Sequence, residues 1–164
     1  MKQIIYIFLL LVLASCNNKS NTYYYNLACD EEQKGNIQAA INNLNKALEI
    51  NPTDLQALNN RGYDYLELKQ YKRAENDFQK MIEIDNNCPA AYYGLGYVNY
   101  VLENYKKAID NFDKTIAIKG GGPVYLEYVD NNLTKSEFSI DISIDKVLEY
   151  KNLSELKLKE KNKL

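Results

Sequence analysis

Residues 55–88 read LQALNNRGYDYLELKQYKRAENDFQKMIEIDNNC, and this stretch decides the fold because it recurs one period to either side. Displacing the chain by 34 residues aligns Ala40, Ala74 and Ala108; Leu44, Phe78 and Phe112; Ile50, Ile84 and Ile118; and the small residues Ala28, Gly62 and Gly96. A fixed period of this length signals stacked supersecondary units rather than one closed globule. Within the stretch, Leu58, Arg61, Gly62 and Tyr65 recur at helical spacing, and after a break at Lys69-Gln70 so do Tyr71, Ala74, Phe78, Met81 and Ile82. Each unit is therefore a helical hairpin.

Working outward, the units are residues 21–54, 55–88 and 89–122, with helices expected over 22–34, 37–50, 55–69, 71–84, 90–103 and 105–118. Gly35-Asn36 and Asn51-Pro52 punctuate the first unit, since the residue before a proline is biased away from helical geometry. Gly62 or Gly96 in the first helix and Ala74 or Ala108 in the second are expected at the helix crossing, where a larger side chain would force the axes apart. Phe78 and Phe112 fill the space towards the next unit.

These residues resemble the tetratricopeptide repeat. The features that carry the resemblance are the 34-residue period, the Gly62-Tyr63-Asp64-Tyr65 run, the Ala-x-x-x-Phe of Ala74 to Phe78 and Ala108 to Phe112, and Asn51-Pro52. Two departures are Asn99 and Glu31 in the place of Tyr65, and Gly120 to Gly122 in place of a proline-containing turn. The resemblance implies an all-α superhelical array of three helical hairpins over residues 22–122, with the first helices lining a concave groove that holds a peptide or protein partner.

Carried over residue by residue, that groove would present Thr22, Tyr25, Asn26, Cys29 and Gln33, then Gln56, Asn59, Asn60, Tyr63 and Glu67, then Ala90, Tyr93, Tyr97, Tyr100 and Val101. Tyrosine supplies contact area at little entropic cost and a hydroxyl for backbone carbonyls. The alternative is that Tyr93 and Tyr97 are wall residues, or lie under the C-terminal segment. A subtype of the family clamps a terminal carboxylate with Lys, Arg and Asn; the matching places hold Tyr25, Cys29, Asn60, Ala90 and Gly94, and only Asn60 fits.

Residues 1–15 stand outside the repeats. Met1-Lys2-Gln3 begins the chain, Ile4 to Leu13 is almost wholly apolar and too short to span a bilayer, and Leu13-Ala14-Ser15 leads to Cys16. This resembles the lipobox of bacterial lipoproteins, which implies cleavage before Cys16, its acylation, and a membrane anchor. The competing reading is an ordinary secretory peptide. Residues 16–21 are then the lipidated cysteine and a polar tether, and Asn17 in place of Asp favours the outer membrane, facing the periplasm.

Residues 123–164 leave the repeat, because the register would place Asp130 where Gly96 stands and Lys146 where Phe112 stands. Phe138, Ile140, Ile142 and Ile144 alternate with polar residues as a half-buried strand would, and Tyr125 to Val129 could pair with it. The competing reading is an irregular arm entering a helix over 144–159, with Val147, Leu148 and Leu156 inward, capping the last repeat. Lys157 to Lys163 reads as a solvated end.

Composition excludes several functions. The 164 residues carry a formal charge of −2, so there is no basic field for nucleic acid, and there is no His, the commonest general base and metal ligand near neutral pH. Asp30-Glu31-Glu32 and Asp141, Asp145 and Glu149 are the acidic groups a metal-dependent enzyme would use, yet no turn glycine or further ligand frames them. The expectation is a non-enzymatic scaffold with no cofactor, metal or small-molecule substrate, either part of an envelope assembly or a free-standing adaptor. Cys29 and Cys88 hold different places in the repeat frame and are expected as thiols.

Overall fold

The structure is a computed structural model and describes residues 19–119, 126–127, 137–138 and 144–163. The leader, Cys16 and tether residues 17 and 18 lie outside the described residues, as does most of 120–143. The fold is an array of helical hairpins, and the chain divides into two compact units, Met1–Pro52 and Thr53–Leu164.

Unit 1 holds α1 (Asn21–Gln33) and α2 (Ile37–Ile50), packed together as a hairpin. Ser20 caps α1 by accepting the amide of Tyr23 at 3.1 Å. Only Ala28 of α1 is fully buried, whereas α2 buries Ala40, Ile41, Leu44, Ala47 and Leu48 at helical spacing.

Unit 2 holds α3 (Leu55–Glu67), α4 (Tyr71–Ile84), α5 (Pro89–Val101) and α6 (Tyr105–Lys119), each packed on the next, with α5 also touching α3. Asp54 caps α3 through the amides of Gln56 and Ala57 at 3.0 and 3.1 Å, and Pro89 opens α5 where its missing N–H costs nothing. The strands β1 (Leu126–Glu127) and β2 (Glu137–Phe138) form one short antiparallel pair, Leu126 opposite Phe138. Helix α7 (Ile144–Lys161) packs on α6 and more lightly on α5.

The turn between the helices of a hairpin is built the same way three times. Gly35, Lys69 and Glu103, one period apart, all take positive φ, at 77°, 57° and 59°. The following amides of Asn36, Gln70 and Asn104 reach back to the carbonyls of Glu31, Tyr65 and Asn99 at 2.7–2.8 Å. This is the Schellman closure of a helix end. It needs a backbone carbonyl and not a particular side chain, which is why Glu31 and Asn99 can stand where Tyr65 stands. Asn99 then turns its amide onto the Leu95 carbonyl at 2.8 Å.

The small residues serve the phenylalanines. A Cβ added at Gly62 would meet the Phe78 ring at 2.8 Å, one at Gly94 the same ring at 2.6 Å, and one at Gly96 the Phe112 ring at 2.5 Å. Phe78 thus seats against the first helix of its own hairpin and of the next, and Ala74 and Ala108 are fully buried beside these rings' helices. Gly94→Ala is expected to destabilise by about 1–3 kcal/mol through overpacking, less the ~1 kcal/mol that alanine gains in helix propensity. A urea midpoint equal to or above wild type would contradict this seating.

On α7 the inward residues are Val147 and Ser154, both fully buried, and Tyr150, half-buried. The expectation that Leu148 and Leu156 also face inward is corrected: they are 40% and 53% exposed. Spacing explains it, because 147, 150, 151 and 154 fall on one helical face and 148 and 156 on another.

Candidate functional site: a tyrosine cluster

The residues expected on the first-helix face divide between the two units. On α1, Asn26, Thr22 and Gln33 are exposed and Tyr25 and Cys29 half-buried. Cys29 and Cys88 are free thiols. On α3, Glu67 is exposed, Gln56, Asn60 and Tyr63 are half-buried, and Asn59 is only 3% exposed, so it belongs to the wall and not to a presented surface. On α5, Ala90 and Tyr93 are buried while Tyr97, Tyr100 and Val101 are half-buried.

Within unit 2 the touching aromatic rings form two groups, Tyr63 with Phe78, and Tyr93, Tyr97, Tyr100 and Tyr105 with Phe112 and Tyr150. Tyr63 stands edge-on to Phe78 with centroids 5.3 Å apart, and Tyr93 tilts against Phe112 at 6.0 Å. Tyr150 of α7 belongs to the second group. It meets Tyr97 at 5.2 Å and Tyr100 at 5.4 Å, both edge-on, and stacks on Phe112 at 6.2 Å. Edge-to-face pairs of this kind add roughly 0.5–1.5 kcal/mol each beyond area burial. Tyr97 and Tyr100 are therefore half-covered by the chain's own C-terminal helix, the arrangement expected if that segment closes the last repeat.

The rim is ionic. Lys151 Nζ lies 2.7 Å from Asp113 Oδ1 and 3.8 Å from Glu155 Oε1, and Lys161 Nζ lies 3.9 Å from Glu103 Oε2. Among the described residues, no group of three or more His, Cys, Asp or Glu side chains is placed to hold a metal ion. Asp145 and Glu149 are exposed on α7, Asp30 is exposed on α1, and Asp141 lies outside the described residues.

Burial raises the phenols of Tyr63 and Tyr93 well above their ordinary value, and neighbouring Tyr93, Cys88 and Tyr97 around Tyr63, and Tyr150, Tyr97 and Glu149 around Tyr93, push in the same direction. A phenol that stays protonated when folded but ionises when unfolded binds more protons in the native state above pH ~10. Stability is then flat below that pH and falls above it, by up to about 1.4 kcal/mol per pH unit for each such group. Cys88, its thiol raised by burial, starts the same loss nearer pH 9. Tyr63→Phe is expected to flatten the decline between pH 10 and 11.5, measured as urea midpoints; an unchanged slope would show that Tyr63 ionises freely in the fold.

Two features of this site carry weak sequence signals. Tyr150 sits outside the repeat register and is found only by asking which face of residues 144–161 groups with Val147 and Ser154. Gly94 looks like a lost polar contact in the Asn26, Asn60 series, but it is the seat of Phe78.

The family model described as anaphase-promoting complex, cyclosome, subunit 3 matches residues 33–115, just over half of the chain. The chain belongs to this family of tetratricopeptide repeat proteins. No curated protein sequence matches it. The crystal structure of the Sgt2 tetratricopeptide repeat domain from Aspergillus fumigatus superposes with a TM-score of 0.70 at 19% identity, over 88% of this chain and 82% of that one. The Arabidopsis OM64 tetratricopeptide repeat domain superposes with a TM-score of 0.59 at 23% identity, over 62% of this chain and 84% of that one. At these identities the likeness is one of fold. As a tetratricopeptide repeat protein, the chain is a protein-interaction scaffold.

Proposed function

We propose that this scaffold is a lipid-anchored adaptor of a bacterial envelope, which binds a peptide or protein segment on the face that the first helices of its hairpins, α3 and α5, make in unit 2. The observation that carries the binding reading is the set of tyrosines on the first helices of unit 2, Tyr63 against Phe78, and Tyr93, Tyr97 and Tyr100 gathered around Phe112 and Tyr150, with half-buried Gln56 and Asn60 and exposed Glu67 on α3. Phenol rings give area and a hydroxyl, and the amide of Gln56 offers both a donor and an acceptor to a ligand backbone. The face carries no cation among these residues, so a carboxylate terminus is a poor ligand for it.

The anchor reading is supported by Leu13-Ala14-Ser15-Cys16 after a short apolar run. Two or three acyl chains, at about 0.8 kcal/mol per buried CH₂, make a stable anchor where one does not. Asn17 in place of Asp after the cysteine is what supports outer-membrane placement facing the periplasm. No helix among the described residues is long and apolar enough to cross a membrane.

Capture from native membranes tests both parts. Cys16→Ser is expected to move the protein from the membrane to the soluble fraction; retention in the membrane would overturn the anchor. Tyr93 is 7% exposed and part of the core, so truncating it confounds binding with folding. Glu67→Arg alters the face at an exposed position and is expected to reduce partner yield at least tenfold with an unchanged melting temperature. Equal yield of the same partners would overturn the face.

A further inference from the structure

The hairpin of unit 1 is polarised along its length. At the end where α1 begins and α2 finishes, Lys19 Nζ lies 4.5 Å from the centre of the Tyr23 ring and Lys46 Nζ 5.4 Å from that of Tyr24, and the two rings stand edge-on with centroids 5.3 Å apart. Tyr23 is 40% exposed, and Ile50, the last residue of α2, is 50% exposed at the same end. The first turn of α1 holds no acidic residue, and Glu49 is the one acid of α2. The far end of α1 carries Asp30, Glu31 and Glu32, with Lys34 donating to Glu31 at 2.7 Å. A helix of 13 residues sets the two ends about 20 Å apart.

We propose that the Lys19, Tyr23, Tyr24, Lys46 and Ile50 end of this hairpin is a membrane-contact site, which seats in the headgroup layer of an anionic bilayer when Cys16 is acylated. The inference rests on the proposed anchor and adds to it which end of the first hairpin meets the lipid.

Three arguments support it. The first is reach. Residues 17–19 alone stand between Cys16 and the helix cap Ser20, and even fully extended the four steps from Cys16 to Ser20 cover at most about 14 Å. An acylated Cys16 sits at the bilayer surface, so the start of α1 stays within that length of a headgroup layer itself about 5–8 Å deep. No such tie holds the acidic end. The second is chemistry. Phenol rings, apolar in body and polar at the tip, are favoured at a membrane–water interface, and lysine stems lie along apolar surface while their ammonium groups reach the headgroups. Seating also removes from water the exposed surface of Tyr23 and Ile50, which the hairpin's own core leaves uncovered. The third is sign. An anionic lipid surface attracts lysines within a Debye length of about 8–10 Å and repels Asp30, Glu31 and Glu32, which turns the Lys19 and Lys46 end towards it.

The chain has no tryptophan, so Tyr23→Trp places a single fluorescent reporter at the site, and Gln79→Trp, exposed on α4, is the control. The acylated full chain is reconstituted in vesicles of phosphatidylethanolamine and phosphatidylglycerol that carry a nitroxide-labelled headgroup as quencher. Quenching at position 23 is expected to be at least threefold stronger than at position 79, and to fall at least twofold when Lys19→Glu and Lys46→Glu are added or when phosphatidylcholine replaces phosphatidylglycerol. Equal quenching at 23 and 79 overturns the inference. So does quenching at 23 that neither the charge reversal nor the neutral lipid alters, since tethering alone would then account for it. Should Tyr23→Trp not fold, the wild type decides the matter: acetylation of Lys19 and Lys46 by a water-soluble reagent is expected to slow at least threefold on vesicles while that of exposed Lys106 does not, and equal rates of slowing overturn the inference. Loss of a captured protein on the charge reversal, with quenching unchanged, would mean that a protein and not lipid covers this end, and overturns it too. A chain that does not float with the vesicles removes the anchor and the inference together; a chain that floats with position 23 unquenched removes the inference alone.

Discussion

Phe78→Ala is expected to destabilise the protein by about 3–5 kcal/mol, the range for truncating a fully buried aromatic side chain. Phe78 is 0% exposed and touches three elements, its own α4 and the first helices α3 and α5. The cavity left behind cannot close easily, because the facing positions are Gly62 and Gly94 and have no side chain to move into it. Unit 2 is a short linear stack in which hairpins are coupled through nearest-neighbour interfaces, so loss of the ring also weakens the coupling of the two hairpins. The denaturant transition should shift to lower urea and broaden, as the hairpins begin to unfold separately. A double-variant cycle gives the sharper outcome. Gly94→Ala destabilises in the wild-type background, but with Phe78→Ala the clash is gone and the helix propensity of alanine is left, so the same change should become neutral or stabilising. Additive effects would show that the ring and Gly94 are not in contact.

Asp77→Ala is expected to cost about 3 kcal/mol, because it strands a desolvated guanidinium. Arg61 Nε donates to Asp77 Oδ2 at 2.8 Å and its terminal nitrogen donates to Oδ1 at 2.6 Å, with the two side chains 18% and 7% exposed. Burial alone would make Arg61 easier to deprotonate, but the hydrogen bonds and charge of Asp77 reverse the direction and hold it firmly cationic. The Tyr65 ring lies 5.8 Å from Arg61 and 5.6 Å from Arg73, so the guanidinium is fixed on a further side. The repeat itself supplies the replacement that should be tolerated. One period away, the place of Arg61 is held by Leu27 and Leu95, and that of Asp77 by Asn43 and Asn111. Arg61→Leu with Asp77→Asn is therefore expected to lie within about 1–2 kcal/mol of wild type, since a partly buried pair can be exchanged for apolar packing when both members go together. Urea denaturation of the single and double variants checks this, and a double variant as unstable as Asp77→Ala would show that the pair contributes more than it costs to bury.

The hairpin array was legible in the sequence because Ala40, Ala74 and Ala108, with Leu44, Phe78 and Phe112, mark positions where packing allows few residue types. The charged pair was not. Arg61 interrupts an otherwise apolar repeat position, but its partner lies sixteen residues away on the facing helix, and nothing local joins them. The turns were readable only at Gly35, because Lys69 and Glu103 adopt the same positive φ with side chains that do not advertise it. On the first-helix face, the sequence placed the tyrosines on the correct helices yet could not tell a presented ring from a wall ring. Tyr93 and Tyr97 differ by one turn of α5, and what separates them is where Phe112 and Tyr150 lie. On the C-terminal helix the reading that places Val147, Leu148 and Leu156 inward holds at Val147 and fails at the two leucines, and it misses Tyr150, whose ring meets Tyr97, Tyr100 and Phe112. Cys16 and the leader owe nothing to packing, and their reading rests on the order of residues alone.

The central claim is that the first-helix face, and not the opposite one, meets the partner. It is tested most directly by placing a photo-crosslinking amino acid at exposed Glu67 on α3 and, as a control, at exposed Gln79 on α4, then irradiating native membranes. The account predicts a discrete protein adduct from position 67 that is absent from position 79. The same adducts from both positions, or an adduct from position 79 alone, would contradict it.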